Sequence, residues 1–430
     1  MIEFHALLVG LLVGSTLLTA GLSILNVRHG AREMRRNQDW LADRLGIDDP
    51  TEIIDHQRAK TGLGLLQSVL TLAFLLGALY TGVITGVVEQ LQATGIPPVA
   101  QGVIFFLGLL FAQRVAGAPF DLYETFVIDE QFDFNESTPL LWLRDFVVGL
   151  AVTGVVATLF LGVLLALLER FPTLYWVAGG WLLAVGFMLL GQIIYPRVIA
   201  PLFNDFEPVE EGELRDGVEA VFNRAGFEVS GIYTMDASRR SSRLNAYFVG
   251  FGRAKRVVLF DTLVEKLERQ QIQSVLAHEL AHWKKGHIWK LVGASAVQFA
   301  LVLAVLGYLV STNWVYGLFS LPTDASYAGL LVSLLVVMPL LELSSPIVNR
   351  LSLSHEREAD TFAVEVMGNG EPMVEALAGL TRENLANPFP HPWYAAFNHQ
   401  HPPIPERMQY IQEHDAESET GTDTAGASTA

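Results

Sequence analysis

The chain contains no cysteine. Disulfide frameworks, thiolate metal clusters and thiol nucleophiles are therefore excluded. Any hydrolytic chemistry must come from a metal, a hydroxyl or carboxylates. Charge is scarce as well: 17% of the 430 residues are Asp, Glu, Lys or Arg, against about 25% in soluble globular chains. Basic charge is scarcest, with 28 Lys and Arg facing 45 Asp and Glu for a formal net charge of −17. That deficit excludes a nucleic-acid partner, because phosphate binding needs a basic face. An acidic surface of this kind favours solubility. Apolar residues dominate instead: 51% of the chain is hydrophobic and its mean hydropathy is +0.36. This composition implies a membrane protein whose partner is the lipid bilayer.

Seven apolar runs are long enough to span a bilayer, which takes roughly 20 residues. They lie near 4–26, 63–87, 99–118, 146–168, 174–195, 288–311 and 327–347. The first has no Lys or Arg before it and Arg28, Arg32, Arg35 and Arg36 after it. A cleavable signal peptide has the opposite flank, so a retained anchor with its N-terminus outside is expected. The loop after the first run carries seven Lys or Arg and the segment 196–287 carries thirteen, whereas 88–98 and 312–326 carry none. Basic loops stay cytoplasmic, so the segment 196–287, the region after the seventh run and the C-terminus are expected inside. Gln113 and Arg114 fall within the third run; they either line or pair in a cavity, or mark a helix end.

Five regions follow: a five-span region at 1–195, a soluble block at 196–287, a hairpin of spans six and seven at 288–347, a second soluble block at 348–412, and an acidic tail at 413–430. The tail has five acidic residues and no Lys or Arg, which predicts disorder. In the first block, 205–212 reads as a linker followed by a helix to about Phe222. Strands are expected at 231–235, 246–249 and 256–260, with a turn at Gly250 and Gly252. Asp261 and Thr262 should cap one helix running to His278. Two spans return the chain to the side it left, so the two soluble blocks can meet.

The chemistry centres on His278-Glu279-Leu280-Ala281-His282. Residues four apart share one helix face, so both imidazoles can bind one Zn²⁺ while Glu279 acts on a metal-bound water. A catalytic zinc takes three protein ligands. Glu342, Glu356, Glu358 and Glu365 follow the motif. Glu342 lies inside a span. Glu356 and Glu358 point about 200° apart on a helix, and only Glu356 shares a face with Asp360. Glu356 is therefore the expected third ligand, and Asp360 the expected acceptor for the outer nitrogen of a ligating histidine. Glu358 should be dispensable. His287, His355, His391 and His399 fit no ligand spacing and read as surface groups or as groups behind the ligands.

The sequence H-E-L-A-H-W with the later E-x-x-A-D resembles the CAAX prenyl protease 1 family, integral-membrane zinc endopeptidases. Pro119 to Ile128, Phe132-Asp133-Phe134-Asn135, Pro201-Leu202-Phe203-Asn204, Asp236 to Ser242, Asn245-Ala246-Tyr247-Phe248, and His401-Pro402-Pro403 with Arg407 carry the rest of the resemblance. The departures are Ala281 where the family has Gly, Arg243-Leu244 where it has His-Ser, and Leu353 where it has Arg. The resemblance implies a mostly α fold: seven helical spans around a large chamber, with a small α+β, gluzincin-like zinc-metalloprotease domain. It implies one catalytic Zn²⁺ on the cytoplasmic side, a prenylated peptide or protein substrate cut near its C-terminus, and Arg407 in support of the site. It also implies that Asn245 and His401 contact the substrate or the developing oxyanion. The alternative is an HtpX-like quality-control protease with unprenylated substrates; the seven spans and the Asn-Ala-Tyr-Phe block favour the first reading. A catalytically dead scaffold is disfavoured by the intact Glu279, and a transporter by the few charges deep in the spans.

The charge asymmetry makes a topological prediction. Single cysteines introduced into 196–286 should react with an impermeant thiol reagent from the cytoplasmic side only, and those in 313–326 from the opposite side only. Reaction of both from one side would refute the seven-span topology.

Overall fold

A computed structural model describes residues 1–228, 231–249 and 256–426. Seven of its helices are long and apolar enough to cross a membrane: Ile2–Arg36, Thr51–Tyr80, Pro98–Asp129, Pro139–Arg170, Thr173–Leu202, His287–Val310 and Ser326–Met367, called spans one to seven here. Their ends follow local chemistry. Spans three and four open with proline at the first turn, and Thr138 accepts a bond from the Leu141 amide at the start of span four. The missing proline N–H costs nothing there. Span two stops earlier than its apolar run suggests. Gly82, at φ +80°, ends it, and a separate helix Val83–Ala93 follows. A conformation that glycine adopts freely thus divides one hydrophobic run into two helices.

The spans pack through Leu165, Trp176, Val332, Tyr327 and Phe105, all buried. Arg114 pairs with Asp121 at 2.6 Å, sits over the Phe146 ring, and lines a cavity together with Gln113. Pairing beside a cavity therefore describes this arginine.

The extramembrane part holds a four-stranded sheet: β1 (Phe206–Pro208), β2 (Gly231–Met235), β3 (Ala246–Val249) and β4 (Arg256–Phe260), in the order β1-β2-β4-β3. β2 and β4 are parallel; the outer pairs are antiparallel. β1 corrects the linker reading of 205–212. Its three residues are too few to show an alternating pattern, and pairing with β2 creates the strand. The turn expected at Gly250 and Gly252 lies outside the described residues.

The helix expected from Asp261 to His278 is two helices, Asp261–Lys266 and Arg269–Lys284. Between them Leu267 is extended, and Glu268 with Gln271 forms a reciprocal capping box that starts the second helix afresh. Leu259, Leu276, Leu280, Phe222, Ala359 and Phe362 join sheet and helices in one core. Span seven is continuous for 42 residues despite Pro339 and Pro346, so Glu356 and Asp360 lie on its extension rather than on a new helix. The tail expected to be disordered from Glu413 continues as part of a helix, Ile404–Gly426. Met408 and Ile411 are buried at its start, and the Asp415 carboxylate accepts the Gly370 amide. Packing of the first turns nucleates a helix whose composition alone does not require one. Residues 427–430 lie outside the described residues.

Candidate active site

The capping box sets the helix that carries the first two candidate ligands. His278 and His282 are one turn apart, with ring centroids 5.2 Å apart. Both present Nε2 to Glu356: His278 Nε2 lies 3.3 Å from Oε2 and His282 Nε2 lies 3.4 Å from Oε1. One donor atom from each of the three falls within 4.8 Å of the others. Two imidazoles and one carboxylate converging on a point form a donor set that would suit a single zinc-sized cation. The remaining acidic candidates lie elsewhere. The Glu342 carboxylate accepts the hydroxyls of Ser15 and Thr19 on span one.

With Nε2 directed inward, each Nδ1 faces outward and needs a partner. His278 Nδ1 lies 2.8 Å from Asp360 Oδ1, and Asp360 receives both Nε and Nη2 of Arg407 at 3.0 and 2.6 Å. Asp360 is fully buried and Arg407 nearly so. Burial alone would lower the His278 pKa, but hydrogen bonds to Asp360 and Glu356 outweigh it and raise it to about 9.

His282 Nδ1 meets His287 Nδ1 at 3.1 Å, and His287 Nε2 meets Glu358 at 3.0 Å. His355 stacks on His287 at 4.1 Å. Neither His287 nor Glu358 has the spacing that sequence reasoning uses. The Gly286 φ of +68° turns the chain at the helix end and swings His287 back over His282. A glycine four residues after a motif histidine, followed by another histidine, is the signal that would have found this contact. Glu358 is not among the converging donors, but through His287 it lies behind one of them, a contact that spacing does not reveal.

Glu279 lines a cavity of about 320 Å³ together with His278, Asn245, Ala246, His401 and Arg407. Burial raises its carboxyl pKa above the ordinary range, with Glu356 adding to the effect and His278 opposing it. His401 Nδ1 lies 2.5 Å from Glu356 Oε2, so this histidine adjoins the cluster while half exposed. Asn245 is exposed, and its Oδ1 accepts the Ala246 amide at 2.9 Å. The departures in sequence also have contacts. Arg243 pairs with Asp129 at 3.0 Å across the Phe134 ring, and Leu244 is a core residue. His391 caps the helix Pro392–Asn398, and His399 is packed against Tyr394.

A larger cavity of about 940 Å³ adjoins the first, sharing Leu244, Asn245, Asn384 and Ala386 with it. Its wall includes Ser23 and Asn26 of span one and Lys60 and Ser68 of span two. The separated motifs meet at its rim. Arg240 reaches Asp145 at 2.8 Å and Asn204 at 3.2 Å, and Asn135 bridges Ser241.

Residues 40–205 match the CAAX prenyl protease N-terminal region, described as five membrane helices, and residues 208–415 match peptidase family M48. A CAAX prenyl protease 1 homolog from rice (Oryza sativa subsp. japonica) is 34% identical over 73% of this chain and 74% of its own length. The chain belongs to the CAAX prenyl protease 1 family. Within it, CAAX prenyl protease 1 of Saccharomyces cerevisiae is 32% identical over 72% of each chain, and the Homo sapiens homolog is 28% identical over 73% of this chain and 74% of its own. The crystal structure of S. mikatae Ste24p superposes with a TM-score of 0.84, at 26% identity, over 96% of this chain and 99% of that one. The chain is thus a multi-pass membrane protein with a peptidase domain of family M48, a metallopeptidase family acting on peptides or proteins.

Glu356→Gln should strip the purified protein of metal, because a carboxamide is a weak ligand. Glu358→Gln should retain the metal with affinity reduced by roughly tenfold, the scale for loss of a group that orients a ligand. Mass-spectrometric metal content and competition with a chelator check both. Loss of metal from Glu358→Gln alone would reverse the assignment.

Proposed function

We propose that this protein is a zinc endopeptidase of the membrane that cleaves near the C-terminus of prenylated CAAX substrates on the cytoplasmic side. The observation that carries the reading is the convergence of His278 Nε2, His282 Nε2 and a Glu356 carboxylate oxygen within 4.8 Å, with Glu279 beside them in a cavity. Those three residues would hold one Zn²⁺, which when bound supplies Lewis acidity towards water and a peptide carbonyl. Glu279 takes the proton of the attacking water and hands it to the leaving amine; the burial that raises its pKa suits it to this exchange. Asp360 fixes the His278 tautomer, and Arg407 keeps Asp360 ionised and oriented. Asn245 and His401 donate hydrogen bonds to the developing oxyanion. β3 is an edge strand of the sheet, and its first residue Ala246 and the preceding Asn245 line the Glu279 cavity. The substrate adds to it as an extended strand, which presents its peptide bonds in a fixed register. The large adjoining cavity offers room for a bulky lipidated residue.

Glu279→Gln should keep the metal and lower peptidase turnover by roughly 10²–10⁴-fold, since it removes the proton acceptor and spares the ligands. Near-native turnover in that variant would remove Glu279 from the mechanism. Incubation with a farnesylated and an unfarnesylated CAAX peptide, with products identified by mass, tests the substrate class. Equal cleavage of both would favour a quality-control protease of unprenylated substrates.

A further inference from the structure

The edge of β3 is not open along its whole length. β3 pairs with β4 in an antiparallel register that sets Ala246 opposite Leu259 and Tyr247 opposite Val258. Just before the strand, the Phe260 amide donates to the Asn245 carbonyl at 3.1 Å, so Asn245 faces β4. Antiparallel ladders alternate. The backbone groups of Leu244, Ala246 and Phe248 therefore point away from the sheet, towards the position a further strand would take.

One of those three is already occupied. The Leu244 amide donates to Asn384 Oδ1 at 3.0 Å, and Asn384 Nδ2 donates back to the Leu244 carbonyl at 3.3 Å. A carboxamide offers one acceptor and two donors in the geometry of a peptide group. Asn384 thus stands in for one residue of a missing strand. It sits at the end of the helix Glu371–Glu383, at the junction of the two cavities.

The direction of the strand gives this contact a meaning. Leu244, Asn245 and Ala246 line the Glu279 cavity, and the later residues of β3 do not. The N-terminal end of β3 is thus the end beside the candidate ligands. A peptide pairing antiparallel, the more stable arrangement, runs from Phe248 towards Ala246 and reaches its scissile bond there. Residues beyond that bond would next pair with Leu244, where Asn384 already fills both positions.

We propose that Asn384 is a register stop: it closes the strand ladder on the leaving-group side and so selects scissile bonds that have only a short segment after them. This inference rests on the strand-addition reading above. Downstream residues leave the ladder and enter the apolar part of the cavity formed by Met373, Leu377, Leu380 and Ile404. A short C-terminal segment fits there, whereas a long one has no continuing edge to follow. Specificity for position arises here from a blocked hydrogen-bonding site, a repulsive element against the wrong substrate.

The test uses the full-length protein in detergent. It takes one peptide series with a constant sequence before the scissile bond and 3, 6 or 12 residues after it. The wild type should favour the shortest peptide. Asn384→Ala frees both Leu244 groups and should reduce that preference about tenfold, measured as the ratio of kcat/KM between short and long peptides. Asn384→Asp keeps the acceptor for the Leu244 amide but sets a carboxylate against the Leu244 carbonyl, and it should fall between the two; it also carries the test if the alanine variant does not fold. An equal loss of activity for all lengths, with the preference intact, would reduce Asn384 to a structural support and overturn the proposal. Peptides N-methylated at single amides before the scissile bond separate the two readings. If no such methylation slows cleavage, strand addition itself fails; if methylation slows cleavage and the length preference of Asn384→Ala is unchanged, only the register stop fails.

Discussion

The site depends on one buried carboxylate. Asp360 accepts two hydrogen bonds from Arg407 and lies 2.8 Å from His278 Nδ1. The three residues come from three distant segments: the extension of span seven, the C-terminal helix, and the His278 helix. A buried ion pair is costly to desolvate and is repaid only when its remaining hydrogen bonds are satisfied. Here each Asp360 oxygen has a guanidinium partner and one of them also meets the imidazole, so the arrangement is closed. Its geometry fixes which imidazole nitrogen faces Glu356. Without it, His278 could present either nitrogen, and the three donors would not meet at one point.

The same logic is repeated with different groups on the other histidine. His282 is held from behind by His287, and His287 by Glu358. His287 opens span six and Glu358 lies on the extension of span seven. Each candidate ligand from the H-E-x-x-H helix is therefore oriented by span seven, once through Asp360 and once through Glu358. The membrane hairpin and the peptidase core form one mechanical unit at this point, although the 60 residues of hairpin at 288–347 separate the two halves of that core in sequence.

Features that repeat with a period were legible in the sequence. The spans announce themselves by length and hydropathy, and β2, β3 and β4 by short β-branched and aromatic runs. The i, i+4 pairs His278/His282 and Glu356/Asp360 could be placed on faces without any tertiary knowledge. What escaped depends on contacts between distant segments. β1 exists because β2 offers it a partner. The Glu268–Gln271 capping box breaks a helix within a stretch whose composition suits one. The start of the C-terminal helix is held by Met408, Ile411 and the Asp415 bond to Gly370, none of which has a local signature. Asn384 and His287 are common residue types at unremarkable spacings, and only the fold brings them to Leu244 and His282.

Span seven has a consequence of scale. At 1.5 Å per residue its 42 residues extend about 63 Å, roughly twice the hydrocarbon thickness of a bilayer. One uninterrupted element therefore runs from the far interface, across the lipid, to the carboxylate of Glu356. A helix adapts to bilayer thickness chiefly by tilting, and the outer portion of this one is packed into the peptidase core through Ala359 and Phe362. Bilayer thickness thus has a mechanical route to the geometry at Glu356.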